Sequence, residues 1–194
     1  MTTPAPAPSI TPFQINVPDS VLTDLRDRLA RSRFSPASPG PAWAAGADPN
    51  YLRALAEHWA YRFDWRAVEA RLNRYPQFLA EVEGTRLHFV QVRGVRPPGG
   101  ADPLPLVLTH GWPSAFTEML PLVDRLTDPA AHDADPADAF DLVIPSLPGF
   151  TFSDPLAGNP ATEPVIADLW VRLMSEVLGY DRFGAYGGDI GSGV

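Results

Sequence analysis

The run Gly187-Gly188-Asp189-Ile190-Gly191 sets a carboxylate between residues that lack a β-carbon two places before it and two places after it. A sharp strand-to-helix turn that presents a nucleophile needs small residues at those flanks, because side chains there collide with neighbouring backbone. The central residue is aspartate where serine is usual. A carboxylate with a reference pKa of about 3.9 is ionised near neutrality without a base, and a helix start favours its charged form further. Such a group attacks carbon by displacement and is left as an ester, and cleaving the ester with water creates an oxyanion that needs amide donors. The amide of Ile190 is one candidate. The other is the amide of Trp112, in the turn His110-Gly111-Trp112-Pro113.

Two other readings of the aspartate turn stay open at this level: a cradle for dinucleotide phosphates and a plain helix cap. The glycines lack G-x-G-x-x-G spacing, and Asp189 points charge at any phosphate, so the cradle is the weaker of the two. His110 reads as a catalytic base or as a loop-orienting residue, and its place beside a turn glycine favours the second. His58, His88 and His132 lie on a helix, a hairpin strand and an acidic loop, without metal-ligand spacing, so neither a metal nor a cofactor is expected.

Composition closes other routes. The chain of 194 residues has no cysteine, and all 15 of its basic side chains are arginine. Disulfides, thiolate nucleophiles, Schiff-base lysines and the lysine of a phosphate loop are therefore excluded. A net charge of -8 argues against nucleic acid and anionic membranes. Met1 to Pro12 has neither a basic start nor an apolar run, so a soluble, cytoplasmic protein without a membrane anchor is expected.

These turns must hang on a scaffold. Residues 1–12 alternate proline with small residues and are expected to form a flexible arm. Phe13 to Val17 alternates like a strand. Three helices then follow: one from Pro18-Asp19 with Val21, Leu22, Leu25 and Leu29 inward, one capped by Asp48-Pro49, and one capped by Asp64. Phe78 to Val82, Glu83-Gly84 and Leu87 to Val92 describe a hairpin. Leu104 to Leu108 and Phe140 to Ile144 read as strands buried on both faces. Phe116, Met119, Leu120, Val123 and Leu126 have helical spacing between them. A helix from Pro164 to Leu178 stops at Gly179, and Arg182 to Tyr186 is another strand. Strand, helix, strand, helix, strand implies an α/β fold with a mostly parallel sheet, in which active residues gather past the carboxyl ends of strands.

Several strings together carry a family resemblance. They are His110-Gly111-Trp112-Pro113, Pro145-Ser146-Leu147-Pro148-Gly149-Phe150 with Phe152-Ser153, and Gly187 to Gly191; before them stand Val17-Pro18-Asp19, Asp24 to Leu29, Phe63-Asp64-Trp65-Arg66 and Leu72 to Phe78. In this order the chain resembles the microsomal-type epoxide hydrolases, Asp-nucleophile members of the α/β-hydrolase fold. The resemblance implies the N-terminal half of that fold: an arm over 1–12, an epoxide-hydrolase-type N-terminal region over 13–98, and the first half of the catalytic core over 99–194. It also implies that Asp189 opens a small apolar epoxide and that the Trp112 and Ile190 amides hold the oxyanion. His110, Gly111, Pro113, Gly187, Gly188 and Gly191 then support the turns, Pro148, Gly149, Phe150 and Phe152 border the pocket, and water completes a vicinal diol. Self-association is left open.

In this fold the acid and the histidine follow the nucleophile in the chain. After Asp189 come only Ile190, Gly191, Ser192, Gly193 and Val194. The expectation is therefore a chain that breaks off before the family's base and lid tyrosines, inactive alone, with an unpaired apolar edge at its last strand. A haloalkane-dehalogenase-like hydrolase and a non-catalytic remnant or interaction module are the alternatives.

Overall fold

The computed structural model describes residues 9–194 apart from Ala157 and Asn159. Residues 1–8 of the expected arm lie outside the described residues. Two compact units result: Ile15–Arg74 forms one, and residues up to Gln14 together with Tyr75–Val194 form the other.

The first unit is helical, with α1 (Asp19–Ala30), α2 (Pro49–Tyr61) and α3 (Trp65–Leu72). Leu22 is buried as expected, whereas Val21 is 52% exposed, so the inward stripe of α1 is Leu22, Leu25 and Leu29. Asp48 accepts from the Asn50 amide, and Asp64 from the Ala67 amide, which satisfies donors that the helix starts leave open. The segment expected to continue as a strand through Val17 does not pair with one. Its amides are taken by side chains instead: Asn73 accepts from the Ile15 N–H at 2.8 Å and donates back to the Ile15 carbonyl at 2.8 Å, and Glu69 accepts from the Val17 N–H at 2.7 Å. Glu69 also accepts from Trp65 and Arg66, and the Val17 amide is the main reason its carboxyl is held below the usual carboxylate range.

The second unit is a six-stranded sheet in the order β1-β2-β3-β5-β4-β6. Its strands are β1 (Ile10–Phe13), β2 (Gln77–Val82), β3 (Thr85–Val92), β4 (Leu104–Thr109), β5 (Phe140–Pro145) and β6 (Gly184–Gly187). The first strand thus begins inside the expected arm and ends at Phe13, paired with β2. The hairpin is as expected, with Glu83 and Gly84 both at positive φ, the geometry that matches strand twist in a two-residue turn. The sheet is mixed: β1, β2, β3 and β5 join antiparallel, and the parallel joins are those of β4 with β5 and with β6.

Between β4 and β5 the α-helix that forms is short, α4 (Val123–Thr127). Phe116–Glu118 and Leu120–Leu122 are single tight turns, because Pro121 cannot supply the amide a continuous helix needs. After β5, α5 (Glu163–Arg172) widens by one residue per turn over Leu173–Val177, and the chain reverses at Gly179, whose φ is +74°. Ile166, Leu169, Trp170, Leu173 and Met174 pack with Leu87, Phe89, Val107, Val143 and Leu147 in the core. The sheet thus points the ends of β4, β5 and β6 the same way.

Candidate active site

Three loops leave those strand ends. The β6 loop carries Asp189, a non-glycine residue at φ 55°, opening a short turn over Asp189–Ser192. Left-handed backbone at such a residue is strained and persists only where its surroundings hold it. Here the holding is steric. A β-carbon on Gly187 would overlap the Gly191 carbonyl, and one on Gly191 would overlap the Thr109 carbonyl at the end of β4. Gly188 has open space, so it is not required in the same way.

The β4 loop meets this turn. A β-carbon on Gly111 would run into the Asp189 side chain, so the absence of one lets the two loops touch. The Trp112 N–H then donates to Asp189 Oδ1 at 2.9 Å. That bond first, and the Ile190 amide second, hold the Asp189 carboxyl below its ordinary value. The carboxylate is exposed, as is Trp112 at 67%, and the Trp112–Pro113 peptide is cis.

The β5 loop is clamped by two buried histidines. His110 accepts the Leu147 N–H at Nε2 (3.1 Å), and its Nδ1 lies 3.0 Å from the Gly111 carbonyl, so Nδ1 carries the proton. Burial lowers its pKa, and both nitrogens are engaged, which suits a loop-orienting role. Its ring meets Phe150 edge-on at 5.3 Å. Phe150 and Ile190 pack against the same core cluster, while Pro148 is buried and Gly149 turns the chain at φ +80°.

Phe152 packs among other aromatic side chains, in a cluster with Phe13, Phe116 and His88. His88, fully buried, was legible in sequence only as a lone polar residue in an apolar strand. Its Nδ1 lies 2.9 Å from Ser146 Oγ and its Nε2 3.0 Å from Gln77 Oε1, so Nε2 donates and Nδ1 accepts. Ser146 Oγ lies 2.7 Å from Thr151 Oγ1, and Ser153 bonds both the His88 amide and the Ser146 carbonyl. Burial pushes the His88 pKa down to about 4. Among the described residues no group of three or more His, Asp or Glu side chains is arranged to hold a metal ion, and no helix is long and apolar enough to cross a membrane.

Residues 10–119 match the family model "Epoxide hydrolase N terminus". The chain belongs to the epoxide hydrolase family. A putative epoxide hydrolase of Stigmatella aurantiaca is 43% identical over 185 residues, which cover 95% of this chain and 41% of that protein. The crystal structure of juvenile hormone epoxide hydrolase from the silkworm Bombyx mori superposes with a TM-score of 0.84 at 30% identity, over 95% of this chain and 42% of that one. The Aspergillus niger epoxide hydrolase structure gives 0.80 at 34% identity, over 95% and 47%. The described sheet and helices are those of the N-terminal half of the α/β-hydrolase fold, and the chain spans less than half the length of these epoxide hydrolases.

Proposed function

We propose that this epoxide hydrolase chain supplies the nucleophile and the oxyanion donors for converting a small apolar epoxide and water into a vicinal diol. The observation that carries the reading is the placement of Asp189 Oδ1 on the Trp112 amide, with the Ile190 amide next to it. Oδ1 is thereby spoken for, and Oδ2 is the oxygen left to attack. It bonds to an epoxide carbon, that carbon's bond to the ring oxygen breaks, and the ring oxygen takes up a proton. The ester carbonyl oxygen is then Oδ1, already at the donors that stabilise negative charge when water adds to the ester carbon. Collapse returns the carboxylate and releases the diol. Phe150, against His110, and the exposed Trp112 supply apolar surface for the substrate. The acidic balance and lack of cysteine support a cytoplasmic setting, testable by fractionation.

His88 and His110 have both ring nitrogens engaged, so neither is free to activate water. With these two rings engaged, the ester is expected to outlast the alkylation step and to be detectable. Incubation with styrene oxide and intact-mass analysis should show one adduct, absent in Asp189→Asn. An adduct that persists in the variant refutes the assignment of Asp189, and steady diol formation by this polypeptide refutes the expected persistence of the ester.

A further inference from the structure

Trp170 and Thr109 stand behind the two loops just described. Thr109 ends β4, is 3% exposed, and pairs with Gly187 across the β4–β6 ladder. Its carbonyl is the atom against which Gly191 packs, so Thr109 touches the turn on both sides of Asp189. Three residues further on, the same segment delivers the Trp112 amide. Whatever holds Thr109 therefore holds the spacing between that amide and the carboxylate.

What holds it comes from α5. Trp170 is 3% exposed, and its Nε1–H donates to Thr109 Oγ1 at 3.0 Å with both groups buried. Packing alone asks for no N–H at this place, since a phenylalanine fills core volume as well. A buried indole N–H without an acceptor is costly, so the bond resists separation of helix and strand end. The same helix meets the far end of the turn, where a β-carbon on Gly193 would lie 2.8 Å from Glu163 Cγ.

We infer that Trp170 and Thr109 are a positioning pair that sets the gap between the Trp112 amide and the Asp189 carboxylate. The inference deepens the role proposed for Asp189 and rests on that reading for its catalytic meaning. Its test reads geometry alone. Hydrogen bonds to a charged carboxylate lower its pKa, so loosening the Trp112 bond raises it.

The experiment is a pH titration of the Asp189 side-chain carboxyl by carbon-13 NMR in the full chain, with the resonance identified by Asp189→Asn. Thr109→Val, which removes the bond and keeps the bulk, and Trp170→Phe, which removes the bond together with part of the indole volume, should both move the midpoint up toward the ordinary carboxylate value. Thr109→Ser, which keeps the hydroxyl, should leave it where the parent protein has it. Thr109→Cys, with a weak acceptor of similar size, replaces either variant should that variant fail to fold, with the same two outcomes. A parental midpoint in the folded Val and Phe variants overturns the inference. So does a Ser variant that shifts as far as Val, because packing and not the hydrogen bond then sets the gap. Absence of an epoxide adduct overturns the proposed function and leaves this titration standing.

Discussion

Acidification should destabilise the sheet unit through His88, and the size of the effect follows from its surroundings. The ring is fully buried among Phe13, Phe116 and Phe152, bonded to the neutral Ser146 and Gln77, with no charged group against it. Burial lowers its pKa from 6.5 to about 4. The unfolded chain therefore binds a proton that the folded chain refuses between those values, so stability is whole above pH 6.5 and falls as the pH drops toward 4. At 1.36 kcal/mol per unit the full loss is about 3 kcal/mol, of which about 2 kcal/mol is gone by pH 5. Urea unfolding at pH 7.5 and pH 5 measures it, with His88→Gln as reference. The Gln variant starts from lower stability, since it cannot make both bonds that the ring makes to Ser146 and Gln77, but it lacks the His88 contribution to the slope. His110, whose pKa burial also lowers, is present in both chains and cancels. Equal losses in the two proteins, or an NMR midpoint of the His88 ring above pH 6, refute the reasoning.

Two further outcomes concern other parts of the molecule. Gly191→Ala puts a methyl group onto the Thr109 carbonyl and should cost about 1–3 kcal/mol in urea unfolding, whereas Gly188→Ala, with open space around it, should cost far less; equal midpoints would remove the steric account of the turn. In the helical unit, Glu69 has its pKa lowered chiefly by the Val17 amide, so its contribution is present at neutral pH and is lost as the pH falls through its depressed folded value. Glu69→Gln should therefore speed hydrogen exchange at the Val17 amide at pH 7 and flatten its acid dependence, and an unchanged exchange rate there would count against the Glu69 anchor.

Much of the scaffold was legible because it depends on near neighbours. The caps Asp48 and Asp64, the stop at Gly179 and the Glu83-Gly84 turn are local chemistry, and each stands where its residues put it. The misreadings arose where distant partners decide. Ile15 and Val17 alternate like a strand, yet their amides go to Asn73 and Glu69, more than fifty residues away in sequence. The segment over 116–126 has helical spacing, but Pro121 breaks it into turns. Distant partners also decide the setting of Phe152, which lies in an aromatic cluster with Phe13 of β1, His88 of β3 and Phe116.

For the site the division is similar. Residue type and spacing alone singled out Asp189, its flanking glycines and the His110 turn, because a strained turn tolerates few residues and a lone carboxylate needs no base to ionise. Only the tertiary structure decided that Trp112 reaches Asp189, that His88 and His110 are buried and neutral, and that Trp170 stands behind Thr109. Those facts join residues from different strands and helices, and a linear chain carries no record of the distances that sheet order and core packing impose between them.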